Sequence, residues 1–281
     1  MFYLRWIIIL LLAITLTPIL LAQNVARTEA IFPLFVRVSI PIDLNIAPQY
    51  ADADAFHSRF VLINPNPSDA RLSLQVFDSS GHEVDLRPSG ISFALVKSNS
   101  FFGFFGDTFQ PPSTIIVGWA KITSTQPLII QEEIFHSLDQ VIAFGNPRET
   151  VKARVLKQAA NPVRRAAVEV RVLAPEFGGT AGTTGISIVF PSSSPTASNI
   201  GTLSLRNQFG KKLAERQVTI AANNQIFGVF TELFPDVPVS VTRGGAILEL
   251  NFDQEVFIAA VNFRISRLKE EMDEPNIGTI Q

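Results

Sequence analysis

The chain has 281 residues, no cysteine, 17% charged residues and a formal net charge of −2. Without cysteine there can be no disulfide staples, thiolate zinc site, cysteine nucleophile or lipid-modified N-terminal cysteine. Charge so evenly balanced gives no basic footprint for nucleic acid.

Residues 1–22 read as a secretory signal peptide. Arg5 supplies the positive n-region, residues 6–21 are almost wholly apolar, and Leu20-Leu21-Ala22 precedes Gln23 as a small-residue cleavage site. The rival reading is an uncleaved membrane anchor. It is disfavoured because the run is short of the roughly 20 residues a span needs, and because Pro18 interrupts it. Arg5 on the inside directs the rest outward in either case. The expected location is therefore exported: periplasm, cell surface or extracellular. Zero cysteine suits a bacterial exported protein that folds without oxidation.

Residues 23–30 read as a polar leader. Residues 31–42 read as a strand, since Val36, Val38 and Ile40 alternate with Arg37 and Ser39. Residues 45–57 read as a loop. Phe60-Val61-Leu62-Ile63 is a short buried strand that stops at the turn-rich Asn64-Pro65-Asn66-Pro67-Ser68-Asp69. Residues 71–77 alternate cleanly, Asp78-Ser79-Ser80-Gly81 is a hairpin turn with glycine at positive φ, and a strand returns through Val84 and Leu86. Residues 92–96 form another short strand. Residues 101–109 read as a Gly-interrupted aromatic loop. Two strands then run from Gly118 to Phe135.

Residues 146–161 read as a short linker, with a strand beginning over 151–156 that opens the second module. Residues 168–173 alternate, and 175–185 are Gly/Thr-rich and expected to be mobile. Ile186-Ser187-Ile188-Val189-Phe190 repeats the strand-then-proline pattern, ending at Pro191. Residues 202–206 and 213–220 flank a hairpin turn around Gly210. Phe227, Phe230, Leu233 and Phe234 are spaced closer to a helical turn than to a strand. Gly244-Gly245 opens the last pair of strands, and 268–281 reads as an acidic, disordered tail.

Two segments look like copies. Gly118-Trp119-Ala120-Lys121-Ile122-Thr123 through Phe135 matches Ala246-Ile247-Leu248-Glu249-Leu250-Asn251 through Phe263. Ile122 and Leu250, Leu128 and Val256, and Phe135 and Phe263 are each 128 positions apart. A fixed offset of domain size points to duplication. The fold class expected is all-β: two tandem immunoglobulin-like antiparallel β-sandwich modules, residues 31–146 and 147–267, each with its own core. An isolated second module, from about residue 151 to 267, is expected to fold by itself.

The turn chemistry resembles a β-sandwich repeat of secreted bacterial proteins. Its marks are a strand ending in Asn-Pro (Asn64-Pro65), an Asp-x-x-Gly hairpin (Asp78 to Gly81), a Glu-Leu-Phe-Pro turn (Glu232 to Pro235, preceded by Phe230) and a last strand ending near arginine (Phe263-Arg264). Module 1 lacks the Glu-Leu-Phe-Pro turn, and module 2 has Phe190-Pro191 where Asn-Pro is expected. The resemblance implies fold and compartment and carries no activity.

No pattern of catalytic chemistry is complete. His57, His82 and His136 form no His-x-x-x-His pair, and no Gly-x-Ser-x-Gly elbow occurs. His57 with Asp52 and Asp54 has irregular ligand spacing, which favours a solvated loop over a metal site. Glu132 and Glu133 are strand neighbours and must face opposite sides, one of them the core or an edge. The glycines of residues 178–182 carry no lysine and precede no helix. Phe101, Phe102, Phe104 and Phe105 form the candidate partner-binding loop, with a plug over an open sandwich end as the plainer reading. The expectation is a non-catalytic interaction or structural protein with no cofactor and no metal, partnered by a protein or cell-envelope component. It would touch the membrane only through residues 6–21 if these are uncleaved. A glycan-binding module is the first alternative and a periplasmic chaperone-like strand donor the second.

Overall fold

The structure, a computed structural model, describes residues 25–39, 50–84, 93–105, 116–142, 148–173, 181–238, 245–265, 270–275 and 277–280. The segment read as a signal peptide lies outside the described residues. Two antiparallel β-sandwich modules are built on one plan.

In module 1 the strands are β1 (Arg27–Ser39), β2 (Tyr50–Asn64), β3 (Ala70–Asp78), β4 (Phe93–Val96), β5 (Ser100–Phe105), β6 (Ile116–Ile142) and β7 (Arg148–Gln158). The first part of β6 pairs with β3 and β1, and the later part pairs with β2 and β7. One long strand is thus shared by two layers, β4-β3-β6-β1 and β7-β6-β2-β5. Alternation aims one face of each layer inward, so Phe32, Phe60, Leu62, Leu74, Ile122 and Ile130 meet in the core. Gly118 is required where β6 passes β3, because a Cβ there would lie 1.9 Å from the Phe77 carbonyl oxygen. Buried Asn64 ends β2, and its Nδ2 donates to the carbonyls of Ser68 and Val96 while its Oδ1 accepts from the Asn66 N–H.

Module 2 comprises β8 (Pro162–Val170), β9 (Val172–Leu173), β10 (Ala181–Val189), β11 (Ser198–Asn207), β12 (Lys212–Ala221), β13 (Gln225–Val229), the single helical turn α1 (Phe230–Leu233), β14 (Ala246–Ile265), β15 (Glu270–Asp273) and β16 (Ile277–Thr279). β14 takes the place of β6. Ile122 lies between Leu74 and Ala30, and Leu250 lies between Leu203 and Ala166. The hairpins match as well: Asp78 Oδ1 accepts from the N–H groups of Ser80 and His82, and Asn207 Oδ1 accepts from those of Phe209 and Lys211. Gly81 and Gly210 both sit at φ +80°. The turn at Phe230–Leu233 buries Phe230 and Leu233, and Glu232 accepts from the Val229 N–H.

Several boundaries differ from the sequence reading. Residues 45–57 were expected as a loop, yet β2 begins at Tyr50, since two long flanking strands, β1 and β6, supply its ladder partners. Arg27–Ala30, read as leader, opens β1. The strand pair from Gly118 and its copy from Ala246 are each one continuous strand, bent where it passes between layers. Residues 101–105 are strand β5, paired with β2, rather than a loop. The linker is strand β7 on module 1's sheet, so by sheet membership the modules divide between Gln158 and Pro162 rather than at 146. Residues 181–185, read as mobile, begin β10. The tail forms β15 and β16, which pair with β14 and β8, and Met272 on β15 is buried. These last segments have weak periodicity of their own, and they are ordered by an open ladder edge next to them.

The modules pack face to face. Ile31 and Trp119 meet Val189, with Phe77 and Phe257 against them. Leu34, Ile134 and Val155 meet Ala259, Val261 and Met272. This explains the unbroken buried run Ala30–Phe35: one face of β1 serves its own core and the other serves the junction. The Gly81 hairpin also seats on the turn at Asn223 and Asn224, where a Cβ would approach to 2.6 Å.

Candidate functional site

The structure places Phe101 and Phe102 on opposite faces of β5. Phe101 points outward and is 64% exposed, whereas Phe102 is half-buried and packs on module 1's core. Phe104 and Phe105 continue β5, and their side chains lie outside the described residues.

A second arrangement, at the junction, joins residues the sequence had kept apart. Glu132 and Glu133 do face opposite sides. Glu133 lies outside, 3.2 Å from Arg59 and 3.6 Å from Arg154. Glu132 is fully buried across from Lys157 on β7. Burial pushes its carboxyl up to about 8, against the lowering effects of the Ser58 hydroxyl and the Lys157 ammonium and with a further rise from Glu274. Its Oε1 has no hydrogen-bond partner among the protein atoms. Ser58 itself accepts from the Val36 N–H, so β1, β2 and β6 converge here.

Lys157 is only 2% exposed, and its Nζ donates to the Ala260 carbonyl at 2.7 Å and to Glu274 at 3.0 Å. It thereby ties β7 of module 1 to β14 and to the segment after β15. The cluster opens on a cleft of about 210 Å³ lined in part by Pro33, Asn161, Ile258 and Thr279. Beside it, Gln225 Nε2 lies 2.8 Å from the carbonyls of Pro33 and Gly118, and Trp119 Nε1 donates to the Asn223 carbonyl at 2.8 Å. The ammonium is held by fixed acceptors, and the carboxyl is sealed from solvent. This arrangement suits joining two modules and setting their angle. Its chemistry is that of a buried, charge-assisted clamp.

In the sequence Lys157 lies within the stretch read as a linker, residues 146–161. Its signal was present, since it sits between Val155 and Ala159 at the inward positions of an alternating strand. Gln225 had no such signal. His136 is buried and stacks on Phe56 with ring centroids 4.3 Å apart, with Phe263 edge-on. His82 is exposed at the first hairpin, 3.6 Å from Asp78. Residues 52, 54 and 57 lie on β2, and their side chains are outside the described residues. Among the described residues, no group of three or more His, Asp or Glu is placed to hold a metal ion. No helix among them is long and apolar enough to cross a membrane.

No family model matches the chain, and no curated protein matches it. Among solved structures, the Anabaena sensory rhodopsin transducer is 17% identical, over 39% of this chain and 97% of that one, with a TM-score of 0.26. The tandem CBM22-1-CBM22-2 domain of Paenibacillus barcinonensis Xyn10C is 10% identical over 80% and 78%, with a TM-score of 0.20. A lectin from Pleurotus ostreatus in complex with GalNAc is 8% identical over 91% and 78%, with a TM-score of 0.16. At these scores the likenesses assign neither family nor activity to the chain.

Proposed function

We propose that this is an exported, non-catalytic protein whose two β-sandwich modules act as one stiff body in interaction or surface structure. The observation that carries the reading is the junction. Lys157 of module 1, only 2% exposed, is spent on holding module 1 to module 2 through the Ala260 carbonyl and Glu274. Two apolar clusters and the Gln225 contacts support the same role. Export is supported by the composition of residues 1–22. Sugar platforms favour exposed Trp or Tyr, and Trp119 is 1% exposed and stacked on Phe77, which weighs against the glycan reading.

The test has two arms. Mass spectrometry of the protein from the cell envelope or medium should give a chain starting near Gln23, and an intact N-terminus on a cytoplasmic protein sinks export. A glycan array should stay blank, and saturable, sequence-dependent binding to one glycan would replace the interaction reading by the glycan-binding one.

A further inference from the structure

We propose that the outer face of module 1's β7-β6-β2-β5 layer docks a β-sandwich module carried by another polypeptide, face to face, as module 2 docks on module 1. This deepens the interaction reading above and rests on it.

The argument is the internal duplication read through strand register. Val189 pairs with Gln225 on one side and Phe257 on the other, and all three lie at the junction. Ile63 pairs in the same way with Phe101 and Ile129. Ile129 and Phe257 are 128 positions apart, so Phe101 holds the place of Gln225 and Ile63 that of Val189. In module 2 these places are covered: Val189 is 0% exposed and Gln225 8%. In module 1 they are open: Ile63 is 38% exposed and Phe101 64%, and Leu156 on the neighbouring strand is 52% exposed. An apolar residue at each matching place on a sheet face, around the Arg59–Glu133 pair, has the make-up of an interface core with a polar anchor.

A second copy of this chain has no free face of the kind that module 1 offers module 2. On module 1 that face carries a bulge in which Pro33 and Leu34 together oppose Trp119, which frees the Pro33 carbonyl to accept from Gln225 and from the Ser187 hydroxyl. It is already occupied by module 2. On module 2 the matching positions have no bulge, since Glu169 alone opposes Ile247. They are charged as well, with Arg206 on Glu249 and Arg171 on Glu169, each at 2.8 Å. Stacked repeats end in such a polar face. The occupant that fits is a sandwich, carried by a different polypeptide, whose free outer sheet face is apolar like the one module 1 offers module 2.

The test uses the full chain in the cells that make it, with p-benzoylphenylalanine placed at position 101, 156 or 209. Phe209, at the β11–β12 hairpin tip and 83% exposed, is the control. Illumination should join positions 101 and 156 to one and the same polypeptide, with the adduct peptides mapping to an outer sheet face of a β-sandwich, and position 209 should not give that product. Ile63→Asp should lower the yield at least tenfold. Phe101→Ser, outside the core, serves as the second variant if Ile63→Asp fails to fold by circular dichroism. Adducts to a second copy, to lipid or glycan, or to a protein of another fold overturn the proposal, as does folded protein with no adduct at 101 and 156. Failure of export or detection of turnover would sink the broader reading without altering the cross-linking result.

Discussion

Raising the pH should loosen the junction through one carboxyl. Glu132 ordinarily releases its proton near 4.5, and in the folded protein burial holds it up to about 8. Between those values the folded chain keeps a proton that the unfolded chain has lost, so stability falls as pH rises through the window. The contribution is intact below about 4.5 and gone above about 8. A gap of about 3.5 units corresponds to roughly 5 kcal/mol at its limit, at about 1.36 kcal/mol per unit. Urea unfolding of a chain beginning at Gln23 reads this directly, because Trp119 is then the sole tryptophan and lies in the junction. Glu132→Gln cannot ionise, so its stability relative to the parent should climb from pH 5 and level off above about pH 8. The amide adds a constant offset but no slope. Parallel curves for parent and variant would refute the assignment of a sealed, protonated carboxyl.

Further expectations follow from the same packing. Ile122→Asp and Leu250→Asp, at matched core positions, should each cost several kcal/mol in urea unfolding by burying an unpaired charge. Lys121→Ala and Glu249→Ala break only partly exposed pairs, with Glu29 and Arg206, and should cost under about 1 kcal/mol. Equal losses at inward and outward positions would mean the register is wrong. Gly118→Ala should lower the melting temperature sharply or abolish folding, since its Cβ meets the Phe77 backbone, and a near-neutral result contradicts that close approach. Calorimetry of the whole described chain should show one transition for both modules, and a fragment of residues 151–267 should aggregate or unfold. That fragment bares Val189, Ala259 and Val261 and lacks β15. Two separated transitions, or a soluble folded fragment, would show that the junction adds little.

Strand alternation, turn residues and the 128-residue offset determined much of this protein without coordinates. Leu72, Leu74 and Val76 could face only one way, Gly81 and Gly210 could sit only in tight turns, and Glu132 and Glu133 had to point to opposite sides. These are local facts, set by a period of two and by which residues tolerate positive φ. The tertiary structure decided what no local pattern encodes: which outward faces stay wet. Trp119 and Lys121 share an outward parity on β6, yet Trp119 is sealed under module 2 and Lys121 is partly exposed and pairs with Glu29. Phe101 and Gln225 hold matching places, yet the polar residue is buried and the phenylalanine is exposed. The segment carrying Lys157 read as a linker and became a ladder strand. A bare sheet edge orders whatever chain lies beside it, and burial of a cation depends on acceptors 103 and 117 positions away, the Ala260 carbonyl and Glu274. Contacts at that separation are fixed by how two finished modules meet.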